Sequence, residues 1–403
     1  MKFVIENMAR HYYLTRSGRL RRKDNTLLFE PANDQEENEN NEIEMSEDNT
    51  DSESEIASLI GEGLGEDFLG ELAEEPIFED EKELDKILDD EREKPEKVRQ
   101  KRTIPVEDVD SIWVFRELDL NAKVLNFLAQ KKIPVHFFNY YGFYSGSFYP
   151  REYLQAGFLL VKQVEHYNSN VKRLRISKEF IGAGLHNILR NLRYYGTRGA
   201  ELLAETEVVQ TEVLRLESVK KINELMACEG RARTAYYKAF EKIIKRDDIE
   251  FKKRVRRPPD NMVNAMISYT NGLVYSSCLT QIYRSQLNPT ISFLHEPGFR
   301  RFSLALDLAE IFKPMLADRI LFRLFNNRQL SEKNFAQDLN FCYLKDSGRK
   351  TVLKEWDKRL NTTIEHRRLK RKVSYERLIR LECYKLVKHL TEVEEYKGFR
   401  AWW

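Results

Sequence analysis

The chain has 403 residues, with 67 Lys+Arg against 65 Asp+Glu and four cysteines. The near-neutral total hides a split: residues 31–100 hold 27 acids and 6 bases, leaving 61 bases against 38 acids in the other 333 residues. A basic body of that size calls for a polyanionic partner, nucleic acid most simply, and no apolar run reaches the ~18 residues of a membrane helix. The N-terminal MKFVIENMARHYY lacks the long apolar core and small-residue cleavage site of a signal peptide. Cys228, Cys278, Cys342 and Cys383 form no CxxC or Cys/His spacing, which argues against a structural zinc and for a reducing, cytoplasmic setting.

In chain order, residues 9–30 read as a hairpin, with turns at Ser17-Gly18 and Lys23-Asp24-Asn25 before the β-leaning TLLF. The β pattern resumes with strands at Thr103–Val106, 111–115 and 134–139. Between the last two, residues 121–132 carry apolar positions at helical spacing. The acidic stretch, about 32–101, interrupts this unit. Its first half has almost no apolar residues and reads as disordered; its second has sparse apolar anchors suited to transient helix. It is either a solvated loop, which chain entropy tolerates cheaply, or a polyanion lying on the basic surface. After the aromatic, Gly-rich bridge 139–152, helical periodicity dominates. The segments 153–166, 177–194, 198–227, 228–246, 261–285, 301–327, 331–341 and 372–391 all read as helices. The predicted fold is α+β: a small β-sandwich-like domain over 1–150, interrupted at 32–101, then a larger all-α domain over 151–403.

Three places in the helical part could carry chemistry. Glu229, in ELMACEGRARTAYYKAF, sits where an apolar face meets Gly230, with Arg231 and Arg233 beyond; a carboxylate so placed resembles a metal ligand beside phosphate contacts, or a solvated glutamate paired with an arginine. His295 ends the apolar ISFL before a Glu-Pro-Gly turn, fitting a ligand or a satisfied structural histidine. Asp307 and Glu310 are i,i+3 on one helix beside the Leu304, Leu308 and Ile311 stripe, a costly arrangement unless solvated, paired or metal-bound. Pro314 removes the hydrogen bond to the Glu310 carbonyl, loosening or simply kinking the helix there. One imidazole with two or three carboxylates and no thiolate favours Mg²⁺ or Mn²⁺, which a phosphodiester needs to neutralise its oxygens. For nucleic acid, residues 245–259 offer Lys252, Lys253, Arg254, Arg256 and Arg257 ahead of Pro258-Pro259, and 366–380 is a second basic stretch; either could instead be a solvated face. The final Trp402-Trp403 fits a docking anchor and a frayed end equally.

These same residues carry a resemblance. CEGRARTAYY, NPTISFLHEPG, SLALDLAEIFKP and SYERLIRLECYKLVKHL are similar to the helical domain of the CRISPR-associated adaptation endonuclease, the integrase that inserts new spacers, and the β-domain motifs YYLTRSGRLRRKDNTLLFE and IPVEDVDSIWVF agree. The chain resembles members from type I-B systems over nearly all of 9–30 and 103–403. The resemblance implies that Glu229, His295 and Glu310 hold a divalent metal, with Asp307 a supportive acid of the catalytic set. It implies nuclease and integrase activity, in which the 3′-hydroxyl of a captured DNA fragment attacks a repeat-end phosphodiester without a covalent enzyme intermediate. It further implies a homodimer formed through the β domain, two such dimers being bridged by a dimer of a small ferredoxin-like partner nuclease into a heterohexamer. The acidic insert departs from the family pattern, where a short connection is usual. Two other readings share parts of this evidence: a catalytically quiet DNA-binding scaffold, and a general branched-DNA repair nuclease.

Overall fold

The computed structural model describes residues 10–32, 101–151, 153–154, 156–256, 258–298, 302–338 and 341–402. Apart from its two ends, the acidic insert lies outside them. The described residues divide into two compact units, one running to Tyr140 and including Tyr144–Pro150, the other formed by Tyr141–Phe143 and Arg151 onward.

The first unit contains two four-stranded sheets. One has the order β1 (Arg10–Leu14), β5 (Val109–Val114), β7 (Val135–Phe138), β8 (Tyr144–Phe148); the first two pairings are parallel and the last antiparallel. The other has the order β4 (Arg102–Pro105), β3 (Thr26–Pro31), β2 (Gly18–Lys23), β6 (Leu118–Leu120). Helix α1 (Ala122–Gln130) is capped by the Asn121 side chain, which accepts from Val124 N at 3.0 Å. Leu14, Ile112, Val114 and Val135 of the first sheet share one core with Leu20, Leu27 and Phe29 of the second and with Val124, Phe127 and Leu128 of α1. β5 is buried along its whole length, as a strand flanked by parallel partners should be.

Two expectations change here. The hairpin over 9–30 is only β2–β3, turning at Asp24 with φ 53°; Ser17-Gly18 is instead the crossing from one sheet to the other. A side chain at Gly18 would sit 2.4 Å from the Glu30 carbonyl oxygen, so that crossing requires glycine. The insert connects β3 to β4, which pair directly as antiparallel neighbours. Its ends leave and re-enter side by side, so its length imposes little on the sheet.

The second unit is built on α2 (Gly157–Asn168), α3 (Asn170–Gly196), α4 (Leu203–Arg215), α5 (Ile222–Ile243), α6 (Met262–Tyr283), α7 (Ser303–Phe312), α8 (Arg319–Asn326), α9 (Asp346–Asn361) and α10 (Tyr375–Leu390). α6 is apolar on nearly every side and runs through the centre, packed by α7 and α10. The unit is not purely helical. Residues 331–341 were expected to be a helix but form a short turn and the hairpin β9 (Phe335–Asp338)–β10 (Phe341–Leu344). β10 is buried on both faces, so its FCYL run has no strand alternation to read. The basic stretch after His366 is the tip of a second hairpin, β11 (Thr363–His366)–β12 (Arg371–Ser374). Trp402 is packed, with Phe399 at 5.6 Å between ring centres and the Arg367 guanidinium 5.1 Å above the ring. All four cysteines are buried and unpaired in disulfides, and no described helix is long and apolar enough to cross a membrane.

Gly184 of α3 lets α7 approach closely: an added Cβ would stand 2.9 Å from the Glu310 carbonyl oxygen. At Gly230 of α5 an added Cβ meets nothing within 4 Å. Gly184→Ala is therefore expected to lower the free energy of unfolding by about 1–3 kcal/mol. Gly230→Ala should raise it by about 0.5–1 kcal/mol through helix propensity. Paired urea titrations read both.

Candidate metal centre

Glu229 and Glu310 arise from different helices and meet in one cleft, lined also by Ile181, Gly184, Leu185 and Ile188 of α3. α5 buries Leu225, Cys228, Ala232, Ala235 and Tyr236 on one face, and Glu229 stands at the margin of that face with Arg233 one turn on. α7 is buried along all ten residues, which carries Glu310 and Asp307 inside with it. Pro314 does not merely kink the chain: it opens a π-helical turn, Pro314–Asp318, closed by Asp318 N donating to Lys313 O at 3.1 Å. Asn191 of α3 satisfies the Pro314 carbonyl at 2.7 Å.

Asp307 is fully buried and its oxygens are committed. Oδ2 accepts from Phe293 N at 2.7 Å and Leu294 N at 2.9 Å; Oδ1 accepts from His295 N at 3.0 Å and lies 2.8 Å from His295 Nδ1. Four donors on one carboxylate fix both the loop and the ring. Because that oxygen is an acceptor, the imidazole carries its proton on Nδ1, which turns the Nε2 lone pair to the opposite side, the arrangement typical of a ligating histidine. Asp307 thus acts on His295 and is not itself turned to the cleft.

The cleft carboxylates are tied to cations. Arg233 Nε donates to Glu229 Oε1 at 2.6 Å, its Nη2 donates to Glu310 Oε2, and Lys313 Nζ lies 2.7 Å from Glu310 Oε1. Burial alone would raise the Glu310 pKa, but Lys313, Arg233 and the nearby His295 outweigh it and hold the carboxyl well below its usual range. Glu229 is pushed the other way, first by burial and then by the charge of Glu310, with Arg233 opposing. The pair therefore divides into a firmly ionised Glu310 and a Glu229 whose charge is more costly.

The other sequence candidates scatter. Arg233 is half-buried in the cleft and is not a surface cation. Arg231 points away, in a two-point pair with Glu212 at 2.9 and 2.7 Å. Arg254 is spent on the fold, donating to Val255 O, to Asn264 and to Ser268 Oγ. Lys252, Lys253 and Arg256 are exposed, Lys252 with Glu250 at 2.7 Å; Arg257 lies outside the described residues. The loop carrying them is less free than expected, since Ile249, Phe251 and Pro259 are buried. Two groups near the centre went unread in the sequence, Lys313 and Asp318. Asp318 is buried with Oδ2 lacking a hydrogen-bond partner, accepts from the Tyr236 hydroxyl, and has its pKa pushed up to about 7 by burial despite Arg233. Their signal was the spacing after Glu310, three and eight residues on, hidden by the proline between them.

The family model described as CRISPR associated protein Cas1 matches residues 86–358. The CRISPR-associated endonuclease Cas1 of Fusobacterium nucleatum is 49% identical over 304 residues, covering 75% of this chain and 90% of that protein. The chain belongs to the Cas1 family. A solved Cas1 protein from Thermotoga maritima superimposes with TM-score 0.71 at 34% identity, covering 97% of this chain and 99% of its own. A casposase bound to integration product has a similar fold, with TM-score 0.72 at 19% identity over 96% of this chain and 92% of its own. The mixed architecture, strands first and a mostly helical remainder, is the one these Cas1 proteins share.

Asp307→Asn replaces one acceptor oxygen with an amide and leaves two buried donors unpaired. In EDTA it should cost about 2 kcal/mol or more in urea denaturation, at ~1–3 kcal/mol per buried unpaired group. A carboxylate serving only as a metal ligand would instead stabilise the protein in EDTA when neutralised.

Proposed function

We propose that the chain is a divalent-metal-dependent DNA endonuclease and integrase of CRISPR spacer acquisition, using Mg²⁺ or Mn²⁺ held by Glu229, His295 and Glu310. The observation that carries this is the convergence of two carboxylates from separate helices on one cleft; His295, its Nδ1 committed to Asp307, is close enough for its charge to lower the Glu310 pKa. Family membership supports the nuclease role, since the Fusobacterium relative bears the name endonuclease. The donor set fits such a metal: oxygen-rich, with one imidazole and no thiolate.

When bound, the metal supplies Lewis-acid stabilisation of the phosphodiester and orients the attacking hydroxyl. The protein's own groups do the rest. Asp307 holds the His295 ring in one tautomer and orientation. Arg233 and Lys313 keep Glu310 ionised. In integration the fragment 3′-oxygen gives up its proton and forms a new bond to the phosphorus at the repeat's 5′ end as the bond to the flanking strand's 3′-oxygen breaks and that oxygen is protonated, a transesterification without a covalent enzyme intermediate. Lys252, Lys253 and Arg256, with the basic hairpin β11–β12, provide cations for DNA backbone contact. The β-rich unit serves dimerisation, and the family resemblance supports a heterohexamer with a small ferredoxin-like partner nuclease, in the cytoplasm.

Short duplexes with free 3′-hydroxyls, a supercoiled repeat-bearing plasmid and the partner nuclease should yield joined product with Mn²⁺ and none with EDTA. Glu229→Gln and His295→Gln should lose more than ~100-fold in joining, and Asp307→Asn about 10–100-fold, while all three keep DNA binding. Joining that survives EDTA or Glu229→Gln would refute the reading. DNA binding without joining under every condition would favour a scaffold.

A further inference from the structure

The Arg233 side chain donates to both cleft carboxylates. Its Nε is 2.6 Å from Glu229 Oε1 and its Nη2 donates to Glu310 Oε2, while Lys313 Nζ takes Glu310 Oε1 at 2.7 Å. Three of the four carboxylate oxygens thus already accept from a fixed cation. The cations are enclosed: the Arg233 and Lys313 side chains are each 12% exposed, against 19% for Glu229 and 7% for Glu310. A guanidinium used for DNA contact alone would be aimed outward; this one spans α5 and α7 from within.

Resting on the reading of Glu229, His295 and Glu310 as metal ligands, we infer that Arg233 is a resident counter-cation that competes with the divalent metal for both carboxylates and thereby sets the metal affinity of the centre. Two effects oppose each other. The guanidinium fork holds the carboxylates in place, which favours a metal by preorganisation. Its charge repels a dication at close range in a poorly screened site, which disfavours it. The charge effect is the larger, because Glu229 and Glu310 are also held by packing: Glu310 by its wholly buried helix and Glu229 beside the buried Cys228. Lys313 acts in the same sense, donating to Glu310 Oε1 and lowering the Glu229 pKa by its charge. Arg233 is a positioning residue in this account.

The test is Mn²⁺ binding to the full-length protein, without DNA or partner, followed by the spectroscopic signal of unbound Mn²⁺. Arg233→Gln should bind Mn²⁺ about tenfold tighter than the unaltered protein, whereas Arg233→Lys, which keeps the charge but loses the two-point fork, should stay within about threefold of it. Weaker or unchanged binding by Arg233→Gln, with circular dichroism matching the unaltered protein, would overturn the inference. If Arg233→Gln does not fold, Lys313→Gln decides: tighter binding supports competition by the internal cations, and weaker or equal binding refutes it. Glu229→Gln is the control for the underlying reading. If the unaltered protein binds no Mn²⁺ that Glu229→Gln abolishes, the metal assignment itself fails, a result distinct from an unaltered affinity in the arginine variants.

Discussion

Two carboxylates enclosed in one cleft cannot both hold their charge unless cations reach them, and much of the helical unit is arranged around that demand. Glu310 rides on a helix with no exposed side, and Glu229 stands at the edge of another. Arg233 meets both and Lys313 meets one. Glycine at 184 allows the supporting helix to come within van der Waals range of the Glu310 backbone. Loss of Arg233 would leave Glu229 without its cation, which is more costly than the absence of the whole arrangement would be.

The histidine is held by a different device. A loop between two helices would ordinarily let an imidazole wander. Here one buried aspartate collects three successive backbone N–H groups and the ring Nδ1, so the loop and the ring are positioned by one carboxylate. The same i,i+3 spacing that puts Asp307 and Glu310 on one helix thus serves two jobs, one acid turned to the loop and one to the cleft. Their adjacent positions in the sequence conceal that division.

Much of the architecture was readable from the residues. The strands at 103–106, 111–115 and 134–139 and the helix at 121–132 follow from alternation and helical spacing, and α6 and α10 from apolar stripes; α4 and α5 differ from the segments expected over 198–227 and 228–246, since the chain breaks after Arg215 and α5 runs unbroken from Ile222 to Ile243. The β9–β10 hairpin was misread because a doubly buried strand has no alternation to betray it. α9 was missed because its surface is strongly charged and its apolar contacts few: Val352, Leu353, Trp356 and Leu360. At the site, residue chemistry nominated Glu229, His295, Asp307 and Glu310. The roles of Arg233 and Lys313 as internal counter-cations were not legible, since the Arg233–Glu310 contact joins residues 77 apart and only the packing of α5 on its neighbours creates it. Arg254 shows the converse: a cation in a basic run whose donors are spent on the fold, which composition alone cannot distinguish from a DNA contact.

The central claim is that His295 and the two carboxylates form one metal centre. Pulsed electron paramagnetic resonance on the Mn²⁺-loaded protein tests it most directly, because nuclear modulation from a coordinated imidazole nitrogen reports the histidine itself. The account predicts modulation from a single imidazole nitrogen that disappears in His295→Gln. Bound Mn²⁺ with no nitrogen modulation, or modulation that persists in His295→Gln, would contradict it.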